Sequence, residues 1–160
     1  MRLILLRHAK SDWASAGLTD HQRPLNARGR DAAPRVARRL VELGWRPEVV
    51  WSSDSARTCE TWALMAAALG APPAHFSPQL YLAEAETLFE YTARLAPGVQ
   101  TALILGHNPG ISEAISLAAG VGLELQTANA ALLSTDAPSW RAAGPGAWRL
   151  DEVVRARALG

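Results

Sequence analysis

The chain has 160 residues, a formal net charge of +1 and a single cysteine, Cys59. This length suits one domain, residues 1–160, with its own hydrophobic core, and the small net charge argues against nucleic acid or a membrane as a partner. One cysteine excludes an internal disulfide and is typical of a reducing compartment. Because no apolar stretch approaches the ~20 residues of a membrane span and the N-terminus lacks a cleavable signal, the sequence predicts a cytoplasmic protein.

Short apolar runs alternate with amphipathic segments, which is typical of βα units around a mostly parallel sheet. Strands are predicted at residues 2–7, 48–52, 74–78, 101–106, 130–135 and 147–153, with the weaker patterns at 74–78 and 147–153. Helices are predicted at residues 28–43, 55–69, 84–95 and 109–119. The predicted fold class is therefore α/β, a three-layer α/β/α sandwich with helices on both faces of the sheet.

The first predicted helix has two unlike faces. Val36, Leu40 and Leu43 form its apolar face, and Gly44 is a stop signal. The opposite side is basic, with Arg28, Arg35, Arg38 and Arg39. The polar segment before this helix, residues 11–23, predicts a loop over the end of the first strand.

A charged pair, Arg7 and His8, follows the first apolar run at residues 3–6. A second run, residues 102–105, leads through a glycine to His107. In α/β proteins the carboxyl ends of the strands carry ligand chemistry, so these side chains are expected to meet at one edge of the sheet. Arginine binds phosphate oxygens bidentately, and a neutral imidazole can attack phosphorus. The pattern predicts an anion pocket, with a phosphoryl group as the anion that fits best.

Two helix starts add to this pocket. Asp54 or a flanking serine can cap the second helix, which leaves Arg57 in its first turn. The helix dipole disfavours a cation there, which indicates an anion nearby. Asn108 as N-cap and Pro109 as first helical residue would place His107 just before a helix N-terminus, a ready anion site. From spacing alone, a structural role for either residue stays open.

Four blocks in order resemble the histidine phosphatase superfamily, also called phosphoglycerate mutase-like, and most closely its small SixA-type phosphohistidine phosphatases. The resemblance covers nearly the whole chain. The blocks are residues 5–13 (LLRHAKSDW), 23–29 (RPLNARG), 52–61 (SSDSARTCET) and 106–110 (GHNPG).

The resemblance implies a phosphoglycerate mutase-like fold and a phosphorylated nucleophile at His8. Arg7, Arg57 and His107 would complete the phosphate pocket, with no cofactor and no metal. Ser11, in the loop after His8, is a further candidate for contact with phosphate, and capping or solvent contact is the alternative for it.

This chain departs from the family pattern at two places. Ala9 stands where the larger family has glycine, a change that is common in the SixA-type branch. Many members carry an acid after the third strand to protonate the leaving group, but the corresponding stretch, residues 80–86 (LYLAEAE), looks apolar at that position. The proton donor is Glu84, Glu86 or neither, since acids in a first helical turn are common through the dipole alone.

The predicted function is a metal-independent phosphatase that acts through a phosphohistidine intermediate on His8, with a phosphohistidine protein as the phosphorylated substrate. A weak or missing acid favours this substrate, because an alkoxide leaving group needs a proton and a P–N bond is labile. Two alternatives are a phosphatase of a small phosphorylated metabolite and a non-catalytic module that binds a phosphorylated ligand. The intact His8 argues against the last. The sequence leaves the physiological substrate, the partner kinase or phosphocarrier and the oligomeric state open.

Overall fold

The computed structural model describes residues 1–14 and 16–160, so Ser15 of the predicted loop lies outside the described residues. The described residues form six strands and four α-helices. The strands are β1 (Arg2–Arg7), β2 (Val49–Ser53), β3 (Ala74–Ser77), β4 (Thr101–Gly106), β5 (Ala130–Ser134) and β6 (Arg149–Val154). The helices are α1 (Ala27–Glu42), α2 (Ala56–Met65), α3 (Ala85–Ala93) and α4 (Gly110–Ala119). Single 3-10 turns cover Asp20–Gln22, Pro78–Leu80 and Ala156–Ala158.

The six strands form one sheet in the order β3-β2-β4-β1-β5-β6. The first four strands in that order pair in parallel, and only β5 among the described strands runs against the rest. The predicted mostly parallel sheet is therefore confirmed. This topology brings the carboxyl ends of β1, β2 and β4 side by side, with Arg7 in register with Gly106.

Helices cover both faces of the sheet, which gives the predicted three layers. In β1, Ile4 and Leu6 pack on the side of α1 and α2, whereas Leu3 and Leu5 pack on the side of α3 and α4. Successive strand residues point to opposite faces, so a strand covered on both sides reads as a continuous apolar run. That is why these strands are visible in the sequence.

The observed elements lie close to the predicted ones, with one helix clearly shorter. Helix α2 ends at Met65, not at residue 69, and turns lead from it to Gly70. Gly44, just past the end of α1, has a positive φ of 76°, as expected of a glycine that ends a helix. Gly70, at the end of the turns after α2, has a φ of 81°. No helix formed by the described residues is long and apolar enough to cross a bilayer.

One glycine sets the distance between α1 and the loop that follows His8. A Cβ atom on Gly29 would lie 2.2 Å from the carbonyl oxygen of Lys10. Only glycine therefore allows the first turn of α1 to pack against this backbone. The backbone N–H of Asn26 donates to the same carbonyl at 2.9 Å, which ties the start of α1 to the loop.

Candidate active site

His8 lies immediately beyond β1 and is buried. Its Nδ1 is 2.7 Å from the carbonyl oxygen of Ala9. A carbonyl only accepts, so Nδ1 carries the proton and Nε2 is unprotonated. Burial, with a smaller contribution from Arg57 and Arg7, lowers the pKa of His8 to about 4. The imidazole is therefore neutral at pH 7 and has its Nε2 available as a nucleophile.

Arg57 connects the two histidines of the site. As predicted, a serine caps α2: the side chain of Ser55 accepts from the backbone N–H of Thr58, which places Arg57 in the first helical turn. The Arg57 side chain is buried. Its Nε donates to His8 Nε2 at 3.4 Å, and its Nη2 lies 3.4 Å from His107 Nδ1. A single guanidinium thus faces both imidazoles.

His107 follows β4 and is also buried. Because Arg57 only donates, the Nδ1 of His107 accepts, and its Nε2 donates to Ser53 Oγ at 2.8 Å. Burial, then the neighbouring His8 and Arg57, lower the pKa of His107 to about 3. The two imidazole centroids are 5.2 Å apart. The predicted convergence of His8, Arg57 and His107 at one sheet edge is therefore observed.

The start of α4 differs by one residue from the prediction. Pro109 precedes the helix, which begins at Gly110, so the prediction of Pro109 as first helical residue and Asn108 as N-cap is wrong by one position. The Asn108 side chain reaches past Pro109 and accepts from the backbone N–H of Ser112 at 3.2 Å and from its hydroxyl at 2.8 Å. Asn108 still caps the helix, but from one residue further away.

Arg7 borders the same site. Its Nη1 donates to the carbonyl oxygen of Leu125 at 3.0 Å. Its Nε is the one buried side-chain nitrogen or oxygen, among the described residues, without a hydrogen-bond partner. A buried charged donor left unpaired is costly. The position of Arg7 Nε therefore fits a bound anion as its hydrogen-bond partner.

Two site residues, Asp20 and Tyr81, were not found from the sequence. Asp20 Oδ2 lies 3.1 Å from Arg57 Nη2, and the Asp20 carbonyl accepts from Arg57 Nη1 at 2.7 Å. Tyr81 donates its hydroxyl to Asp20 Oδ2, and Arg23 Nη2 lies 3.0 Å from Oδ1. The hydrogen bond from Tyr81, then those from Arg57 and Arg23, hold the pKa of Asp20 well below its usual range. Asp20 is thus an ionised carboxylate that orients Arg57.

Three predicted candidates lie apart from this cluster. Ser11 is buried, but its hydroxyl accepts from Arg23 Nη1 at 2.9 Å and has no hydrogen bond with the two histidines or with Arg57. Its contact with phosphate stays a prediction. Glu84 and Glu86 are exposed, at the N-cap and in the first turn of α3, without a hydrogen bond to the site. Their positions fit the dipole explanation for acids at a helix start.

The stability of the fold should fall as the pH falls from about 6.5 to about 4. The folded-state pKa values of His8 and His107, about 4 and about 3, lie below their ordinary value of 6.5. The unfolded chain therefore binds more protons in this window, which lowers the free energy of unfolding. Urea unfolding of the wild type and a His8→Asn/His107→Asn variant between about pH 7 and about pH 5 checks this. Equal pH slopes for both proteins would contradict it.

Asp20→Asn should lower kcat/KM about tenfold, the loss expected for one hydrogen bond to a charged group. Because Asp20 positions Arg57, its replacement should lower kcat/KM for p-nitrophenyl phosphate and for a phosphohistidine peptide by the same factor. Glu84→Gln and Glu86→Gln serve as controls and should stay within about twofold of wild type, as exposed surface changes do. A loss confined to esters with poor leaving groups would instead make Asp20 a proton donor.

Comparison with known proteins shows the family of this chain. Residues 3–86 match the family model described as histidine phosphatase superfamily (branch 1). The chain belongs to this superfamily. An uncharacterised chloroplastic protein of Arabidopsis thaliana is 40% identical to this superfamily member over 167 residues, which cover 96% of this chain and 77% of the relative.

Solved structures support the same assignment. The proposed phosphohistidine phosphatase SixA of Agrobacterium tumefaciens is 27% identical, with a TM-score of 0.84 over 96% of this chain and 97% of that one. A protein histidine phosphatase SixA in complex with tungstate has a TM-score of 0.87 over 100% of both chains. At its 20% identity, this second likeness shows the fold alone. The chain therefore has the fold of the SixA-type phosphatases.

Proposed function

We propose that this chain is a metal-independent phosphatase that forms a phosphohistidine intermediate on His8 and removes phosphate from phosphohistidine proteins. The observation that carries the proposal is the state of His8: it is buried and neutral, and its unprotonated Nε2 accepts from Arg57 Nε at 3.4 Å. A nucleophile beside fixed cationic donors is what phosphoryl transfer requires.

In the first step, His8 Nε2 attacks phosphorus while the P–N bond of the substrate phosphohistidine breaks. Arg7 and Arg57 donate to the phosphoryl oxygens, and His107 borders them through its Nδ1. The leaving imidazole takes its proton from solvent. The Nδ1–H of His8 keeps its hydrogen bond to the carbonyl of Ala9 throughout, which holds the ring in place.

In the second step, water attacks the phosphorus of phosphorylated His8. The bond between phosphorus and Nε2 breaks, the electron pair returns to Nε2, and inorganic phosphate leaves. The proton of the attacking water goes to phosphate or solvent. Arg57 contributes in both steps, since the charge on the phosphoryl oxygens has to be stabilised each time.

The acidic side chains in and near the site, Asp20, Glu84 and Glu86, are not placed to protonate a leaving group, and this favours a labile phosphoramidate substrate. An ester releases an alkoxide that needs a proton, but Glu84 and Glu86 are exposed and have no hydrogen bond to the site. Asp20 is held as a carboxylate by Tyr81, Arg57 and Arg23. A phosphohistidine substrate needs no acid at the site, because its leaving imidazole takes a proton from solvent. The likeness to a proposed phosphohistidine phosphatase supports the same choice.

Exposed apolar side chains near the site fit a protein substrate. Trp13 is 78% exposed and stacks on Arg23, with the guanidinium carbon 3.4 Å from the ring centroid. Leu82, next to Tyr81, is 52% exposed. Exposed apolar surface beside a site is typical of protein–protein contact. The cytoplasmic location remains part of this proposal.

The test measures phosphate release in excess EDTA from a phosphohistidine protein, a phosphoserine peptide and several sugar phosphates. We expect kcat/KM for phosphohistidine to exceed that for the esters by about 10²-fold or more, since general acid catalysis contributes at least that much to ester cleavage. A preference for a sugar phosphate would identify a metabolite phosphatase. Activity lost in EDTA and restored by a divalent metal would refute metal independence, and phosphate binding without turnover would indicate the binding module.

A further inference from the structure

A cavity of about 560 Å³ lies beside the site, between the N-terminal half of α1 and residues 126–129, 156–157 and 160. We call it the basic groove and define it by its five cationic side chains. These are Arg7, Lys10, Arg28, Arg35 and Arg157. Arg28 and Arg35, from the basic side of α1 predicted from the sequence, therefore line a concave surface.

Most of this positive charge is not neutralised by the protein. Asp31 is the one acidic side chain among the described residues of the wall, and it pairs with Arg35 at 2.7 Å. Lys10, Arg28 and Arg157 are exposed and form no hydrogen bond or ion pair through their side chains with other described residues. Like charges gathered in a cleft raise the local concentration of anions.

Arg28 carries an additional local cost. It lies in the first turn of α1, a turn without any acidic residue. The partial positive charge of a helix N-terminus disfavours a cation at this place. An anion bound in the groove would relieve this repulsion, together with that between Arg28 and its cationic neighbours.

The groove is joined to the active site through Arg7, which lines the groove and directly precedes His8 in the chain. A substrate whose phosphoryl group lies at His8 can therefore place another part in the groove. To bind the cations of the groove, that second part of the substrate has to carry its own negative charge, because the phosphoryl group is already bound at the active site. The net charge of the chain is only +1, so the groove is a local feature and not the surface of a generally basic, nucleic-acid-binding protein.

We propose that the basic groove binds a segment rich in aspartate and glutamate on the phosphoprotein substrate, and so selects which phosphohistidine enters the site. This inference rests on the proposed function. Charge complementarity carries it: a chain of carboxylates matches several unpaired cations, whereas a simple sugar monophosphate has no second anionic group for them.

The test variant is Arg28→Glu/Arg157→Glu. Both side chains are exposed and lie outside the catalytic cluster, and glutamate in the first turn of α1 agrees with the helix dipole, so the fold should persist. The matched control is Arg94→Glu/Arg141→Glu, which changes the net charge equally at two exposed arginines outside the groove. The substrates are two phosphohistidine peptides of equal length, one with several glutamates and one with glutamines in their place.

We expect the groove variant to raise KM for the acidic peptide about tenfold with little change in kcat, the size typical of a few reversed surface charges. The control variant should show no such change in KM with the acidic peptide, nor should the groove variant with the glutamine peptide. The groove variant should hydrolyse the small molecule phosphoramidate at the wild-type rate. High salt should remove the preference of the wild type for the acidic peptide. Equal KM values for the two peptides in the wild type would overturn the proposal.

A binding measurement separates this inference from the proposed function. Fluorescence anisotropy with the unphosphorylated acidic peptide should show weaker binding to the groove variant than to wild type and control. If neither phosphopeptide is hydrolysed but this difference persists, the groove binds acidic segments and the proposed phosphatase function fails. Equal binding by all three proteins overturns the groove proposal, as does a random oligonucleotide that binds the groove more tightly than the peptide.

Discussion

Replacing His8 with alanine should lower kcat/KM for phosphate release by about 10⁴-fold or more, because loss of a covalent nucleophile removes both steps of the reaction. The measurement is phosphate release from a phosphohistidine protein under initial-rate conditions, with circular dichroism to show that the variant folds.

The matched control is His75→Ala. His75 is an exposed histidine on β3 that stacks on Trp51, and it has no contact with the catalytic cluster. This variant should keep wild-type activity. Rapid quenching of the wild type should also trap phosphate on the Nε2 of His8. Substantial turnover by His8→Ala, or a label on another residue, would show that the nucleophile has been assigned wrongly.

Arg57→Ala should lower kcat/KM by about 10³-fold, comparable to the loss of a principal donor to a transition-state oxyanion. Arg57 contacts His8, His107 and Asp20 at once, so its removal affects the nucleophile, its neighbour and the phosphate-binding charge together. Arg57→Lys should recover only a small part of the activity, because an ammonium group cannot reproduce the planar fork. Steady-state kinetics of both variants provides the measurement.

Arg94→Lys is the control for this change, since Arg94 is exposed at the end of α3 and makes no side-chain hydrogen bond with the described residues. It should behave as wild type. If Arg57→Lys instead restored full activity, positive charge alone would be sufficient, and the geometry of the guanidinium would have no part in catalysis.

Two local signals pointed to Arg7, His8, Arg57 and His107 in the sequence. Arg7, His8 and His107 each stand at the end of an apolar run, and Arg57 stands where a cation opposes the helix dipole. A polar residue that interrupts a buried strand has few structural explanations. Parallel pairing of β1, β2 and β4 then brings these strand ends to one edge, as the α/β pattern predicted.

Asp20 and Tyr81 had no such signal. Asp20 lies in a polar segment, residues 11–23, and Tyr81 lies in residues 80–86, where the family resemblance points to a carboxylic acid and not to a tyrosine. They meet across 61 positions of the chain because the turn at Asp20–Gln22 and the loop after β3 both pack over Arg57. Arg23, which pairs with Asp20, also donates to Ser11. Side-chain directions in loops depend on tertiary contacts, so local patterns do not reveal them.

By itself, the sequence determined the α/β class and the approximate bounds of strands and helices, because hydrophobic periodicity is a local property. The four motif blocks, through their resemblance to a known family, pointed to Arg7, His8, Arg57 and His107. The tertiary structure alone decided the tautomers of His8 and His107, the carboxylate of Asp20 against Arg57, and the basic groove beside Arg7. These depend on distances between segments far apart in the chain, where burial and the hydrogen bonds of neighbouring elements set the charge of each group.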